Sequence, residues 1–321
     1  MKPEIYLTAR NYIKAIPKKD GAVSQEIYSE AIETLAPVLK NMNDGVELSE
    51  KDKNDLLWDL TSFFITKLQH EGTFLGNPDV QLWFDEYKTD FDYNYWNAYQ
   101  QFLEQSASNI PQSVIEANEK IIDGVLDYSG DPRKEGNWHR KGMVMGNVQS
   151  GKTLNYIGLI NKAADVGYKT FILIGGHMND LRKQTQERID EGFIGKASKH
   201  LRDTFSHDID VGVGVFRHEA DVNYLTSTES DFHAKVASAT GITLRSNTPT
   251  IFVVKKNTKI LENLYKWIKE NHSLDPENNK RLKSQLMFID DEADYATPNS
   301  KASRDEISKT PEIIRKILNL F

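Results

Sequence analysis

The sequence predicts an α/β protein in which a parallel sheet is preceded by an all-helical segment. Three observations carry that expectation. Residues 1–105 hold no strand pattern. From residue 141 onward, short apolar runs alternate with helical periodicity, the arrangement that gives β-α-β units and a parallel sheet. The stretch Gly146-Asn-Val-Gln-Ser-Gly-Lys-Thr153, set between such a run and such a helix, matches G-x-x-x-x-G-K-[ST] at every fixed position.

In chain order, helices are expected over Ile5–Ile16, Ser24–Leu39, Ser49–His70 and Asp79–Leu103, separated by Pro17, Asn43-Asp44-Gly45 and the stretch Gly72 to Pro78. Ser49 with Asp52 resembles a capping box with Asp in the Glu position. Leu56, Leu57, Leu60, Phe63, Phe64 and Leu68 are core candidates behind it. The segment Trp83 to Phe102 is unusually aromatic. Its carboxylates Asp85, Glu86, Asp90 and Asp92 would repel a phosphate backbone, so internal packing is expected over base stacking. Pro78-Asp79 with Glu86-Tyr87-Lys88 spells a nuclease-like signature, but its groups fall on one expected helix and not on converging strands. Residues 106–111 read as a linker and Pro111–Tyr128 as a helix. Two domains are expected, 1–110 helical and 111–321 α/β. Tyr128 and Trp138 are candidates for base stacking, with domain-edge packing the commoner use of either.

Lys141–Met145 reads as a short buried strand leading into the glycine-rich loop, and Leu154–Val166 as the helix after it. Lys169–Ile174, Val211–Phe216, Thr250–Val254 and Gln285–Ile289 are the further expected strands. Right-handed crossovers would bring the loops Gly146–Thr153, Gly175–Asp180 and Lys255–Asn257 to one edge of the sheet.

The loop's chemistry follows from its residues. Backbone N–H groups of Gly146, Gln149, Ser150 and Gly151 at a helix start can face phosphate oxygens, with the helix dipole adding favourable field. Lys152 adds a point charge for the outer phosphates, and the Thr153 hydroxyl is a Mg²⁺ ligand. Gln285–Ile289 runs into Asp290-Asp291-Glu292-Ala293-Asp294. A carboxylate closing an apolar strand is where an ATPase of this kind holds Mg²⁺, and the next Glu orients the attacking water. Asp291 and Glu292 take those roles, with Asp290 left open as the alternative metal ligand. ATP and Mg²⁺ are the expected cofactors.

Net charge is −7 and there is no Cys, so disulfides and thiolate metal sites are excluded. Residues 1–110 carry 10 Lys and Arg against 18 Asp and Glu, and residues 111–321 carry 30 against 29. Bulk charge therefore does not suit coating nucleic acid, and an acidic front half suits a separate task. No leader-type or membrane-spanning apolar run is found, so a cytoplasmic protein is expected.

Asp291-Glu292-Ala293-Asp294 also spells the motif naming the DEAD-type helicases of superfamily two. Taken in order with Gly146–Thr153, Leu181-Arg-Lys-Gln-Thr-Gln-Glu-Arg188 and Phe252-Val-Val-Lys-Lys-Asn257, it resembles the Z-one domain endonuclease family of bacterial restriction and phage-defence systems. The likeness runs from about Trp83 to the C-terminus. It implies a first RecA-like lobe of an ATP-driven DNA helicase or translocase, with Arg182, Gln184, Thr185 and Lys255 near a nucleic-acid backbone. It also implies a second RecA-like lobe following Phe321 and a nuclease or other defence protein as partner. Arg182, Lys183, Arg188, Lys255 and Lys256 are too few in an acidic chain for strong affinity, so weak DNA binding is expected of residues 1–321. The alternative is a nucleotide-switched protein-binding module without motor activity.

Overall fold

The computed structural model describes residues 3–15, 25–43, 45–63, 80–105, 110–134, 136, 138–145, 151–199, 209–217, 220–271, 282, 284–294, 297 and 307–321. They form two compact units, and the chain passes between these more than once instead of crossing a single boundary near residue 110. One unit comprises 1–77, 103–124 and 141–155, the other 78–102, 125–140 and 156–321.

In the first unit, α1 (Pro3–Ala15), α2 (Gln25–Met42) and α3 (Glu50–Phe63) enclose a core of Ile5, Ala9, Ile13, Tyr28, Ile32, Leu35, Leu39, Leu56 and Leu60. The spacing of Ile5, Ala9 and Ile13 lines one helix face. The expected cap is present: the Asp52 backbone N–H donates to Ser49 Oγ at 3.2 Å, and the Ser49 backbone N–H to Asp52 Oδ2 at 3.1 Å. Together they satisfy two donors that the start of α3 leaves unpaired. Phe64 and Leu68 lie outside the described residues. The same unit contains the first turn of α7 (Lys152–Val166) and most of α6 (Gln112–Tyr128), which buries Ile115, Asn118, Ile122 and, further on, Leu126.

The expected helix Asp79–Leu103 is broken, which corrects the sequence reading. A short helix α4 (Phe84–Tyr87) runs into a 3₁₀ turn over Lys88–Asp90, and α5 (Asn94–Gln105) starts afresh after extended Phe91. Each start is fixed by a distant carboxylate. Asp127 Oδ1 accepts from the backbone N–H of Trp83 and Phe84 at 2.8 and 2.6 Å, and Asp165 accepts from those of Tyr95 and Trp96, each at 2.9 Å. A carboxylate at a helix N-terminus satisfies orphan donors and opposes the dipole, so two caps impose two helices. The aromatic rings between them pack inward. The Arg133 guanidinium lies 4.4 Å over Tyr87 and 5.2 Å over Phe91, and the Lys162 ammonium 4.9 Å over Trp96 and 5.6 Å over Tyr93.

The sheet of the second unit has the order β2-β3-β1-β4 and is parallel throughout. Its strands are β1 (Thr170–Gly175), β2 (Asn223–Tyr224), β3 (Thr250–Val254) and β4 (Leu286–Asp291). Every residue of β1 and β3 is buried, as expected of parallel strands covered on both faces. One face packs Ile172, Ile174, Phe252 and Val254 against Leu261, Leu264, Trp267 and Ile268 of α10 (Thr258–Asn271) and against Ile313, Ile314 and Ile317 of α11 (Lys309–Leu318). On the other, Phe171 meets Phe193 edge-on at 5.5 Å between ring centroids. A short helix α9 (Ala234–Ala239) precedes β3.

Val211–Phe216, expected as a strand, is instead a 3₁₀ turn over Gly212–Val215. The glycines explain it. A Cβ on Gly214 would lie 1.9 Å from the Gly195 carbonyl oxygen, and one on Gly212, at φ +52, 1.9 Å from that of Glu191. These residues bring backbone against backbone, a use that alternation with Val conceals. No described helix is long and apolar enough to cross a membrane.

Candidate functional site

Because the strands are parallel, their C-terminal ends share one edge, the place where ligands bind in open α/β sheets. Three loops meet there: Gly176–Met178 between β1 and α8 (Asn179–Ile189), Lys255–Asn257 between β3 and α10, and the turn that starts at Glu292 after β4. They are bonded to one another. The Lys256 backbone N–H donates to the Gly176 carbonyl at 2.8 Å, and Lys255 Nζ donates to Asn179 Oδ1 at 2.7 Å. Asn257 Oδ1 accepts from the backbone N–H of Lys259 at 2.9 Å and caps α10.

The acidic end of β4 is built around one buried cation. Lys256 Nζ, its side chain fully enclosed, lies 2.7 Å from Asp290 Oδ1 and donates to the Glu292 carbonyl at 2.6 Å. Thr297 Oγ1 donates to Asp290 Oδ2. Asp290 is thereby engaged through both oxygens. In register Asp290 pairs with Ile174 and Asp291 with Gly175. Successive strand side chains alternate in face, so Asp291 is directed to the face opposite Asp290. Glu292 has φ +68 and is the one non-glycine among the described residues with positive φ. Its Oε2 lies 3.5 Å from His177 Nδ1.

Gly151, Lys152 and Thr153 are in the other unit. Gly151 has φ +77, and its carbonyl accepts from the Asn155 N–H at 3.0 Å, closing the first turn of α7 (Lys152–Val166). Lys152 is exposed and Thr153 half-buried. Asn155 Nδ2 donates to Asn118 Oδ1 at 3.1 Å, which anchors that turn to α6. Gly146, Gln149 and Ser150 lie outside the described residues. The expected buried strand Lys141–Met145 is not formed: the segment is exposed, with Met143 77% and Met145 80% accessible. An apolar triplet becomes a strand only where a ladder takes its N–H and C=O groups, and no described residue does so here.

The residues expected near nucleic acid divide into two kinds. Arg182 is 4% exposed, and its guanidinium donates to the carbonyls of Ser227 at 2.9 Å and Thr228 at 2.8 Å. Thr185 is buried, donates to the Leu181 carbonyl and packs where a Cβ on Gly175 would meet it at 3.0 Å. Both hold α8 in place. Gln184 is exposed on α8, and Lys255 is half-buried at the sheet edge on its bond to Asn179.

His177 and Lys256 were not singled out from the sequence as groups acting on the acidic turn. The available signal was position: each sits in a loop directly after a buried parallel strand. No group of three or more His, Asp or Glu capable of enclosing a metal occurs among the described residues. No family model, curated protein or solved structure matches the chain.

Proposed function

We propose that the chain is the ATP-binding and hydrolysing lobe of a superfamily-two DNA helicase or translocase, of the kind associated with restriction or phage defence. The observation that carries the reading is the end of β4. Lys256 and Thr297 take up Asp290, and Asp291 and a strained Glu292 follow it at the ligand edge of a parallel sheet. Non-glycine residues held at positive φ concentrate at functional sites.

The residue types named above would suit a Mg²⁺-nucleotide. Mg²⁺ bound with phosphates takes one or two protein oxygens and keeps waters, so an enclosing acidic cluster is not required. When bound it neutralises charge on the outer phosphates. Thr153 and Asp291 would supply its protein oxygens. Gly151 and Lys152 at the start of α7 would hold phosphate, Lys152 as an exposed charge. Glu292 would orient the attacking water. The arginine that stabilises the transition state in such motors would come from a second RecA-like lobe, and DNA and a nuclease would be the partners.

The test is a titration of a fluorescent ATP analogue with and without Mg²⁺, alongside hydrolysis with and without DNA. Wild type should bind in a Mg²⁺-dependent manner, and Lys152→Ala should lose binding at unchanged thermal stability. Equal affinity in the two proteins rejects the assignment. Binding without any DNA effect on turnover favours the nucleotide-switched binding module, for which the 10 against 18 charge balance of residues 1–110 would offer a surface for a basic partner.

A further inference from the structure

Glu292 presents a physical question: what keeps a non-glycine residue in the left-handed region? That conformation costs about 1–2 kcal/mol, so neighbours must hold it. Its backbone is held by the enclosed Lys256 ammonium, 2.6 Å from its carbonyl oxygen. Its side chain is held separately. Gly176, itself at φ +78, leaves open the space beside Glu292 Oε2, which lies 3.3 Å from where a Cβ on Gly176 would stand. The next residue, His177, brings Nδ1 to 3.5 Å from that same oxygen.

Energetics separate these two supports. The Lys256 side chain is fully enclosed and neutralised by Asp290, so removing it would strand a buried charge. The His177 and Glu292 side chains are 39% and 41% exposed. A pair so open to water contributes only about 0–1 kcal/mol to folding. The effect of His177 is therefore local: by tethering the carboxylate it limits opening of the turn at Glu292 and selects one orientation of that carboxylate.

We propose that His177 is a positioning residue that aims the Glu292 carboxylate through Nδ1. The proposal rests on the assignment of Glu292 as the residue that orients the attacking water. His177 touches neither nucleotide nor water in this scheme and acts only through Glu292.

The experiment compares His177→Ala, His177→Asn and His177→Gln in the full chain. The Asn amide nitrogen occupies the place of Nδ1, and the Gln amide that of Nε2. Three quantities are read: amide hydrogen exchange over Asp291–Asp294 without nucleotide, ATP-analogue affinity, and the separate kcat and KM of hydrolysis. Removing a group that orients a functional side chain typically costs about 10–100-fold in activity. His177→Ala should therefore lose about tenfold or more in kcat, with KM and affinity within about twofold, and should exchange faster at Glu292. His177→Asn should recover most of both losses and His177→Gln little. An unchanged kcat in His177→Ala, or equal rescue by Asn and Gln, overturns the proposal. If wild type neither binds nor hydrolyses ATP, the functional reading fails by itself and the exchange data decide: faster exchange at Glu292 in Ala but not in Asn sustains the contact, and identical exchange in all proteins overturns it.

Discussion

Asp165 allows a pH dependence of stability to be worked out from the structure. Its carboxylate caps α5 through the N–H groups of Tyr95 and Trp96, bonds that favour the charged form, as does nearby Lys162. Burial outweighs them and pushes the carboxyl from 3.8 up to about 7. The folded protein therefore holds this proton across a window in which the unfolded chain has released it. Between those two values the folded state binds more protons, so stability falls as pH rises and levels off above the folded value. With one unit equal to about 1.4 kcal/mol, the loss from pH 5 to pH 8 is about 2–3 kcal/mol, most of it below pH 7. Burial also raises Asp190, to about 6, and Asp231, so wild type alone would report their sum. Asp165→Asn isolates the contribution of this carboxyl, because the amide does not titrate; it keeps an acceptor for one of the two α5 N–H groups and sets its NH2 against the other, a cost that is the same at every pH. Urea unfolding of both proteins at pH 5, 6, 7 and 8 should show wild type losing ground to the variant as pH rises. A difference that is flat or of opposite sign across that range would refute the balance of burial over hydrogen bonding.

Two further outcomes are expected. Glu292→Gln should keep nucleotide affinity while losing turnover, since the amide retains the shape and removes the group that orients water; affinity by titration and kcat by a steady-state assay decide it, and normal turnover would remove Glu292 from that role. Arg182→Lys should lower unfolding stability by about 1–3 kcal/mol, because an ammonium cannot reproduce the fork that reaches the Ser227 and Thr228 carbonyls; unchanged stability with weakened DNA binding would restore Arg182 to a phosphate contact.

The strands β1, β3 and β4 were legible because each is an apolar run ended by a residue with its own local signature: Gly175-Gly176, Lys255-Lys256-Asn257 and Asp290-Asp291. Helices α7, α8 and α10 were legible from their spacing and from the loops before them. What failed has a common cause. The break between α4 and α5 is imposed by Asp127 and Asp165, far along the chain from the N–H groups they cap. Arg182 reads as a surface base until the carbonyls of Ser227 and Thr228 are brought to it. Val211–Phe216 alternates like a strand, yet its glycines serve close contacts with Glu191 and Gly195. Periodicity reports how a segment is buried; it does not report which distant group completes its hydrogen bonds.

The same limit left two adjacent aspartates interchangeable in the sequence, and physical chemistry separates them in the fold. A lysine whose side chain is fully enclosed carries a large desolvation penalty and needs a counter-charge with well-placed oxygens. Lys256 finds it in Asp290 as a close ion pair, on the face of β4 that alternation assigns to it, and donates a hydrogen bond to the Glu292 carbonyl. The obligation created by one buried cation thus consumes the first acid of the run and bends the chain at the third. Asp291 lies between them on the opposite face of β4, and the metal role is proposed for it because Asp290 is already paired with Lys256 and Thr297. Replacing Lys256 would on this argument cost fold stability and site geometry together, whereas replacing His177 would alter geometry alone.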